Sequence, residues 1–257
     1  MTDNKAQMAS PAYRIAALDQ DFVLGDTTRG VRFQLEYQKA EEYLRKWGVA
    51  STVVVFGSAR VREGDKRGWY EAARAFARLC SEKGGALHAH SSPRRNVIAT
   101  GGGPGIMEAA NRGAHDVGAP SIGYNITLPH EQEPNGFSTP ELTFRFHYFA
   151  MRKMHFAMRA DALVVFPGGF GTLDELFELL TLMQTHKMPP IPVVLVDQSY
   201  WTRVINFRTL VDEGMIAPAD LDLFSYVENA EEAWRQLVKR GLKSGPRPPG
   251  YPSTSMD

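Results

Sequence analysis

Residues 162–175 read ALVVFPGGFGTLDE, and this stretch decides the fold class. A continuous apolar run at 162–166 leads into the glycine-rich turn PGGFG, and a helix-like segment follows at once. A strand that is buried on both faces has this unbroken apolar character, as the central strands of a parallel sheet do. The stretch therefore predicts a buried parallel strand that passes through a glycine turn into a helix.

The same unit recurs along the chain. Apolar strand-like runs lie at 52–56, 96–100, 121–126, 162–166 and 192–197, with a further one within 141–149. Helix-like segments alternate with them, at 31–48, 67–83, 106–118, 151–160, 173–187, 200–213 and 230–241. This alternation indicates an α/β fold in which helices cover both faces of a parallel sheet.

No internal repeat or linker divides the chain, which predicts one domain over residues 31–243 that begins with a helical extension. Residues 1–30 are polar and mixed, and we expect them to form a loosely ordered lead-in. Residues 244–257 are rich in proline, glycine and serine, which predicts a disordered tail. The segment GGALHAHSSPRRN at 84–96 has the composition of a surface insertion.

The composition excludes several classes of protein. The 257 residues are 43% hydrophobic and 23% charged, which is ordinary for a soluble globular protein. The formal net charge is zero, so we expect no general nucleic-acid binding. Cys80 is the single cysteine, and neither a secretory signal nor a long apolar run is present. A cytoplasmic protein with no membrane partner is expected.

Two glycine-rich loops, GGGPG at 101–105 and PGGFG at 167–171, each join a buried strand to a helix. Open α/β sheets bind ligands at the carboxyl ends of their strands. The first N–H groups of a helix lack partners within the helix and favour an anion, so phosphate is the expected guest. The loops match neither G-x-G-x-x-G nor G-x-x-x-x-G-K-[ST], which disfavours dinucleotide-binding proteins and P-loop NTPases.

The second loop carries titratable groups, and two interpretations of them are open. Thr172 and Glu175 have the spacing of a capping box, in which each would cap the start of the helix. However, Asp174 and Glu175 place two negative charges beside a predicted anion site, which a structural phosphate cradle would not favour. A catalytic carboxylate next to a bound sugar phosphate would account for that placement.

Arg152 and Lys153 lie near the start of the preceding helix-like segment. They could be two solvated surface charges. They could instead point towards the second glycine loop, where they would complement Glu175 and an anionic substrate.

The motifs GGGPGIMEAANRGA at 101–114, MRK at 151–153 and PGGFGTLDE at 167–175 resemble the Lonely Guy family of cytokinin riboside 5′-monophosphate phosphoribohydrolases. The likeness runs from about Val53 to Met215 and includes PVVLVDQSYW and VDEGMI. It implies a Rossmann-like, doubly wound parallel sheet and a homodimer or higher homo-oligomer. The chain looks closer to the longer bacterial members than to the short plant form.

The resemblance also implies roles for individual residues. It makes Arg152 and Glu175 the catalytic pair. Residues that would hold the phosphate, the ribose or other parts of the substrate are Gly102, Gly103, Glu131, Lys153, Gly168, Gly169, Gly171 and Thr172.

The implied activity is hydrolysis of the N-glycosidic bond of nucleoside 5′-monophosphates, AMP or cytokinin ribosides among them, to a free base and ribose 5-phosphate. It needs no metal or organic cofactor. A non-catalytic carrier of a nucleotide or of the molybdenum cofactor is the alternative on this fold, and a DNA-processing protein is disfavoured by the zero net charge. Decarboxylation is disfavoured because no pyridoxal-lysine motif is recognisable.

The histidines and aromatic residues near the motifs remain ambiguous by sequence. His88 and His90 form an H-x-H pair without an obvious third metal ligand, so no metal site is expected. For His147 and His155, a core or surface position is favoured over a general acid. Three aromatic residues could stack on a base or belong to the core, namely Tyr148, Phe149 and Phe170. Cys80 reads as a buried apolar residue.

Overall fold

A computed structural model describes residues 3–87, 93–128 and 133–244 of the protein. Within these residues the chain forms one seven-stranded sheet in which every neighbouring pair of strands is parallel. The strands are β1 (Thr52–Phe56), β2 (Val97–Thr100), β3 (Ser121–Ile126), β4 (Thr143–Phe146), β5 (Ala160–Val165), β6 (Val193–Val196) and β7 (Ser225–Val227).

Ten α-helices and five short 3-10 helices accompany the sheet in the part of the chain that is described. The α-helices are α1 (Lys5–Ala9), α2 (Gln20–Leu24), α3 (Arg29–Lys46), α4 (Trp69–Gly84), α5 (Ile106–His115), α6 (Phe149–Met158), α7 (Phe170–Gln184), α8 (Gln198–Val204), α9 (Phe207–Asp212) and α10 (Ala230–Lys239). The 3-10 helices are Pro11–Tyr13, Ala16–Leu18, Asp26–Thr28, Pro140–Leu142 and Pro218–Leu223.

The strand order is β4-β3-β2-β1-β5-β6-β7, which confirms the doubly wound, Rossmann-like α/β fold. The chain winds outwards from β1 to β4 and then returns to the other side of β1, where β5 starts the second half. Every residue of β1 is buried, in agreement with its unbroken apolar sequence. β1 and β5 therefore flank the point at which the winding direction reverses, and open α/β sheets bind their ligands at such a point.

Helix packing explains the glycine at position 113. Gly113 of α5 lies against α4, and a Cβ atom there would come within 2.1 Å of the carbonyl oxygen of Arg74. A larger residue would force the two helices apart.

α3 anchors both ends of α6: the Glu36 carboxylate accepts from the N–H groups of His147 and Tyr148, and Glu41 forms an ion pair with Arg159.

Several predicted boundaries differ from the structure. β7 was not predicted, because three residues at the edge of a sheet are too few to form a recognisable pattern. The helix predicted at 200–213 is two helices, α8 and α9. The end of the predicted surface insertion belongs to the core, since Asn96 is fully buried and its amide donates to the carbonyls of Gly84 and Lys243.

Other predictions concern the chain ends and parts that are not described. Residues 3–28 hold short, mostly exposed helices, and the division of the chain at residues 30 and 243 stays a prediction. His88, His90, Glu131 and residues 245–257 lie outside the described residues. Of the helices that are described, none combines the length and the apolarity that a membrane crossing requires. Over the same residues, no three histidine, cysteine or carboxylate side chains converge as a metal site would require.

Candidate active site

A cavity of about 1130 Å³ opens at the carboxyl ends of β1 and β5. One wall is formed by the PGGFGT segment and the start of α7, and another by the segment between β1 and α4. Residues that line it include Gly57, Ser58, Ala59, Arg60, Arg62, Lys66, Arg67, Trp69, Gly101, Met107, Arg152, Phe156, Pro167, Gly168, Gly169, Phe170, Gly171, Thr172, Glu175, Tyr200 and Val204. The cavity thus lies at the switch point of the sheet.

The start of α7 is suited to an anion. Gly169 is the N-cap residue, and no side chain of the described residues caps the helix. The N–H groups of the first turn therefore remain available to a ligand. Added Cβ atoms at Gly169 and Gly171 would meet no atom within 4 Å, so the missing side chains leave open space beside these N–H groups. A phosphate group could occupy that space.

The capping-box interpretation of Thr172 and Glu175 is wrong. α7 begins at Phe170, so Thr172 is the third helical residue and not the N-cap. A Cβ atom at Gly168 would come within 2.1 Å of the Thr172 Oγ1 atom, which shows how closely the loop folds back over that hydroxyl. The Glu175 side chain lies in the next turn, and its carboxylate contacts Arg152 of α6.

Glu175 forms a buried ion pair with Arg152 of α6. The Arg152 Nη2 atom lies 3.3 Å from Glu175 Oε1, and the side chains are only 14% and 4% exposed. The guanidinium lies over the rings of Phe149 and Phe156, at 5.2 and 5.8 Å from their centroids. Arg152 Nε is buried and has no hydrogen-bond partner among the described residues, and one of the guanidinium N–H groups is engaged by Glu175.

Lys153, the neighbour of Arg152, also points towards α7. Its Nζ atom lies 2.8 Å from Asp174 Oδ2 and 3.0 Å from Glu178 Oε2. Both cations therefore face the helix that follows the second glycine loop, and the interpretation as solvated surface charges is wrong. The charge of Asp174 is compensated by Lys153, which leaves Glu175 as the carboxylate of α7 that lines the cavity. Asp65, on the wall between β1 and α4, also lines it.

Burial dominates the titration of the pair. Loss of solvent raises the pKa of Glu175 to about 7, although the positive charges of Arg152 and Lys153 act in the opposite direction. Burial likewise lowers the pKa of Arg152, against the effect of Glu175. A carboxyl group that titrates near neutral pH can gain or lose a proton during a reaction, as catalytic acids and bases must.

The first glycine cluster contributes less directly to the cavity. Gly101 lines it, whereas Gly102, Gly103 and Lys153 are not among the lining residues. The N–H of Gly102 donates to Thr100 Oγ1, and the carbonyl of Gly103 accepts from the Asn135 amide. These contacts indicate that glycines 102 and 103 shape the loop, and their assignment to substrate stays a prediction. Glu131 is outside the described residues.

Sequence reasoning missed the wall between β1 and α4, which carries Arg60, Arg62, Lys66 and Arg67. The signal that could have found it was position, because this segment follows a fully buried strand at the centre of the sheet. Tyr200 was also missed. It lies 32 residues from Gly168, and no local pattern connects the two.

The ambiguous residues divide between core and site. His155 is fully buried among aromatic rings, and its Nδ1 atom lies 3.8 Å from Glu41 Oε1. Burial lowers the pKa of His155 to about 4. The core position is thus confirmed. Cys80 is buried, as predicted. Tyr148 packs on the ring of Phe33. Phe170 is 92% exposed and lines the cavity, where its ring is available to a ligand.

Gly169→Ala is expected to weaken binding of inorganic phosphate by at least about tenfold without loss of folding, because the new methyl group occupies only the open space beside the free N–H groups. Titration calorimetry measures the affinity. Gly30→Ala, in α3, is the matched control, since it also has open space and an ordinary φ angle. Unchanged phosphate affinity in Gly169→Ala would contradict an anion site at the start of α7.

Comparisons with known proteins agree with the predicted resemblance. The model of a family described as possible lysine decarboxylase matches residues 107–237. The cytokinin riboside 5′-monophosphate phosphoribohydrolase LOG7 of Arabidopsis thaliana is 30% identical over 148 residues, which is 56% of this chain and 66% of that protein. The probable enzyme LOG4 of Oryza sativa subsp. japonica is 29% identical over 56% of this chain and 63% of that protein. The matches thus span somewhat less than two thirds of these relatives.

Solved structures share the fold at low identity. The X-ray structure of a structural genomics target superposes with a TM-score of 0.51 at 19% identity, over 74% of this chain and 99% of that chain. The molybdenum cofactor carrier protein of Chlamydomonas reinhardtii gives a TM-score of 0.50 at 20% identity, over 75% of this chain and 99% of the carrier. A further relative, the probable phosphoribohydrolase LOG6 of Arabidopsis thaliana, is 30% identical, and the match covers 71% of its length. The chain therefore belongs to the Lonely Guy family, which the model described as possible lysine decarboxylase represents.

Proposed function

We propose that this protein hydrolyses the N-glycosidic bond of nucleoside 5′-monophosphates and releases a free base and ribose 5-phosphate. The observation that carries the proposal is the buried Arg152–Glu175 pair, which lines the same cavity as the uncapped start of α7. The names of the relatives support it, because they describe phosphoribohydrolases of riboside 5′-monophosphates.

The phosphate would bind at the start of α7. The N–H groups of residues 169–172 and the positive end of the helix dipole favour a dianion there. Binding energy from a phosphate that does not itself react can be used to position the bond that breaks. The phosphate is thus expected to determine where the ribose lies relative to Glu175, which is one helical turn beyond Thr172.

Glu175 would act on the ribose. Departure of the base leaves positive charge on the sugar ring, as in glycoside hydrolysis. An ionised carboxylate stabilises that charge and can also take a proton from the attacking water. The carbon–nitrogen bond breaks with its electron pair on the base, water supplies the new hydroxyl group of ribose 5-phosphate, and the proton that the water gives up ends on the base.

Arg152 would serve both the carboxylate and the substrate. Its charge favours the ionised form of Glu175, and its single hydrogen bond to Glu175 fixes the direction of the carboxylate. The remaining donors of the guanidinium can bind oxygen atoms of the ribose or the phosphate. The proposed mechanism uses only the N–H groups of α7, Glu175, Arg152 and water, and it requires no metal or organic cofactor.

AMP and cytokinin riboside 5′-monophosphates are both proposed substrates, and the 92% exposed Phe170 offers a ring on which a base could stack. The protein is proposed to work in the cytoplasm as a homodimer or higher homo-oligomer, without nucleic-acid or membrane partners.

The test is incubation with a panel of purine and pyrimidine nucleoside 5′-monophosphates and chromatographic detection of the free base. AMP is expected to be cleaved with a kcat/KM at least about 100-fold above that of adenosine, because adenosine lacks the group that binds the helix start. Equal values for the two compounds would contradict the proposed phosphate site. If no free base appears from any monophosphate, the protein is not a hydrolase, and the carrier alternative takes its place.

A further inference from the structure

Tyr200 holds the second glycine loop from outside the motif. Its hydroxyl donates to the carbonyl oxygen of Gly168 at 2.7 Å. We propose that Tyr200 is a positioning residue that fixes the Gly168–Gly169 peptide so that the N–H of Gly169 points into the anion site. This inference rests on the phosphate site of the proposed function, but not on the hydrolysis itself.

The geometry of the peptide bond couples the direction of the Gly168 carbonyl to that of the Gly169 N–H. In a trans peptide the C=O and N–H groups point in opposite directions, and no cis peptide is present in the described residues. A hydrogen bond that directs the Gly168 carbonyl towards Tyr200 therefore directs the Gly169 N–H away from it. No group in the described part of the chain accepts a hydrogen bond from that N–H.

Two consecutive glycines make this constraint necessary. Gly168 and Gly169 both lack a Cβ atom, so sterics restrict the rotation of the peptide between them only weakly. Without an external partner, the carbonyl could turn towards the cavity and present an oxygen atom to an incoming phosphate. A carbonyl oxygen would repel the anion, whereas the N–H attracts it.

Tyr200 is itself firmly placed. Its backbone N–H donates to Asp197 Oδ1 at 3.0 Å, and its ring packs edge-on against Trp69 and Trp201 at 5.8 and 5.3 Å. Asp197 adopts φ +70°, a left-handed conformation that residues other than glycine rarely take. Such strain persists where surrounding contacts compensate for it, and it is common at functional sites.

Those contacts come from the wall between β1 and α4. Asp197 Oδ2 accepts from Arg67 Nη2 at 2.7 Å and from Trp69 Nε1 at 3.0 Å. Burial alone would raise the pKa of Asp197, but the hydrogen bonds from Arg67, the Tyr200 N–H and Trp69 lower it to about 2. The contacts of Asp197 and Tyr200 thus connect the segments after β1, β5 and β6. The Asp197 carboxylate stays ionised at neutral pH.

Tyr200→Phe is the test, because it keeps the ring and removes only the hydroxyl. Loss of one hydrogen bond that orients a binding group is expected to weaken inorganic phosphate binding about five- to tenfold. The KM for AMP is expected to rise by a similar factor with a smaller change in kcat. Tyr226→Phe is the control, since it removes a tyrosine hydroxyl at the edge strand β7, and it is expected to match the wild type.

A second measurement reports on the peptide directly. In protein labelled with ¹⁵N-glycine, the Gly169 amide resonance is expected to shift when inorganic phosphate is added to the wild type. In Tyr200→Phe that shift should be much smaller, whereas a merely structural role of the hydroxyl would leave it intact.

The outcomes separate the two proposals. Wild-type phosphate affinity and an unchanged Gly169 shift in Tyr200→Phe would overturn the positioning role and leave the hydrolase proposal standing. Tight AMP binding without release of adenine would overturn the hydrolase proposal. The phosphate affinities of Tyr200→Phe and the wild type would still test the positioning role. Absence of phosphate binding by the wild type would overturn both.

Discussion

Glu175→Gln is expected to lower kcat for AMP hydrolysis by about three orders of magnitude or more, while the protein stays folded. The amide keeps the shape of the side chain but cannot carry the negative charge that stabilises the developing charge on the ribose. Because α7 has no side-chain cap and Glu175 lies beyond its first turn, the substitution removes no helix cap. Single-turnover and steady-state assays of adenine release measure the loss.

Asp174→Asn is the matched control for Glu175→Gln. It removes a carboxylate from the adjacent residue of the same helix, but Asp174 is half-exposed and pairs with Lys153 outside the cavity lining. Activity close to that of the wild type is expected, and thermal unfolding of both variants tests that they are folded. A Gln variant that turns over AMP as fast as Asp174→Asn would exclude a catalytic role for Glu175.

The raised pKa of Glu175 adds a pH dependence to the same prediction. The carboxyl is protonated and neutral below about pH 7 and ionised above it. Since the ionised form is the active one in the proposed mechanism, kcat/KM for AMP is expected to rise with pH through this region. The residual activity of Glu175→Gln should lack that rise, apart from the ionisation of the substrate phosphate near pH 6. A profile that falls over the same range would mean that Glu175 acts as an acid.

Arg152→Ala is expected to abolish measurable hydrolysis of AMP, with a loss of about 100-fold or more. The substitution removes the charge that favours ionised Glu175 and leaves a buried carboxylate near only Lys153, so the neutral acid should predominate. It also removes donors that would bind the substrate. Because Arg152 is packed between Phe149 and Phe156, circular dichroism and thermal unfolding must accompany the assay.

The same variant distinguishes an enzyme from a carrier. Wild-type protein at high concentration is held with AMP, and the mixture is assayed for adenine and ribose 5-phosphate. A contaminating nucleosidase would be indifferent to Arg152→Ala, so adenine from the wild type alone identifies the chain as the catalyst. Arg208→Ala, which removes an exposed arginine that pairs with Asp212 in α9, controls for loss of a positive charge as such.

Arg152→Lys refines the result. Lysine retains a positive charge but lacks the planar fork of donors that can bind Glu175 and a substrate oxygen together. Activity between those of the wild type and Arg152→Ala would indicate that charge and geometry both contribute. If Arg152→Ala hydrolysed AMP at the wild-type rate, the buried pair would have no part in the reaction.

The sequence by itself determined the architecture and the position of the helix start at which we propose that an anion binds. Continuous apolar runs such as 52–56 and 162–166 predicted buried parallel strands, and the structure confirms both. The glycine turn at 167–171 predicted a helix start open to a ligand, and α7 begins there without a side-chain cap. These features could be inferred because they depend on residues adjacent in the chain, through backbone sterics, hydrophobic periodicity and unpaired helical N–H groups.

Only the tertiary structure decided which side chains act together. Two interpretations of the Thr172–Glu175 spacing fitted the sequence. The start of α7 at Phe170 excluded the capping box, and the fold brought Glu175 to Arg152, 23 residues away. The same holds for Tyr200 of α8 and Gly168 of the loop before α7, which are 32 residues apart in the chain. The raised pKa of Glu175 is a property of its burial, and Glu175 is buried where α7 meets Arg152 of α6. A local pattern cannot specify such contacts, because hydrogen-bond partners and solvent exposure are set by chain segments that meet only when the sheet and its helices have assembled.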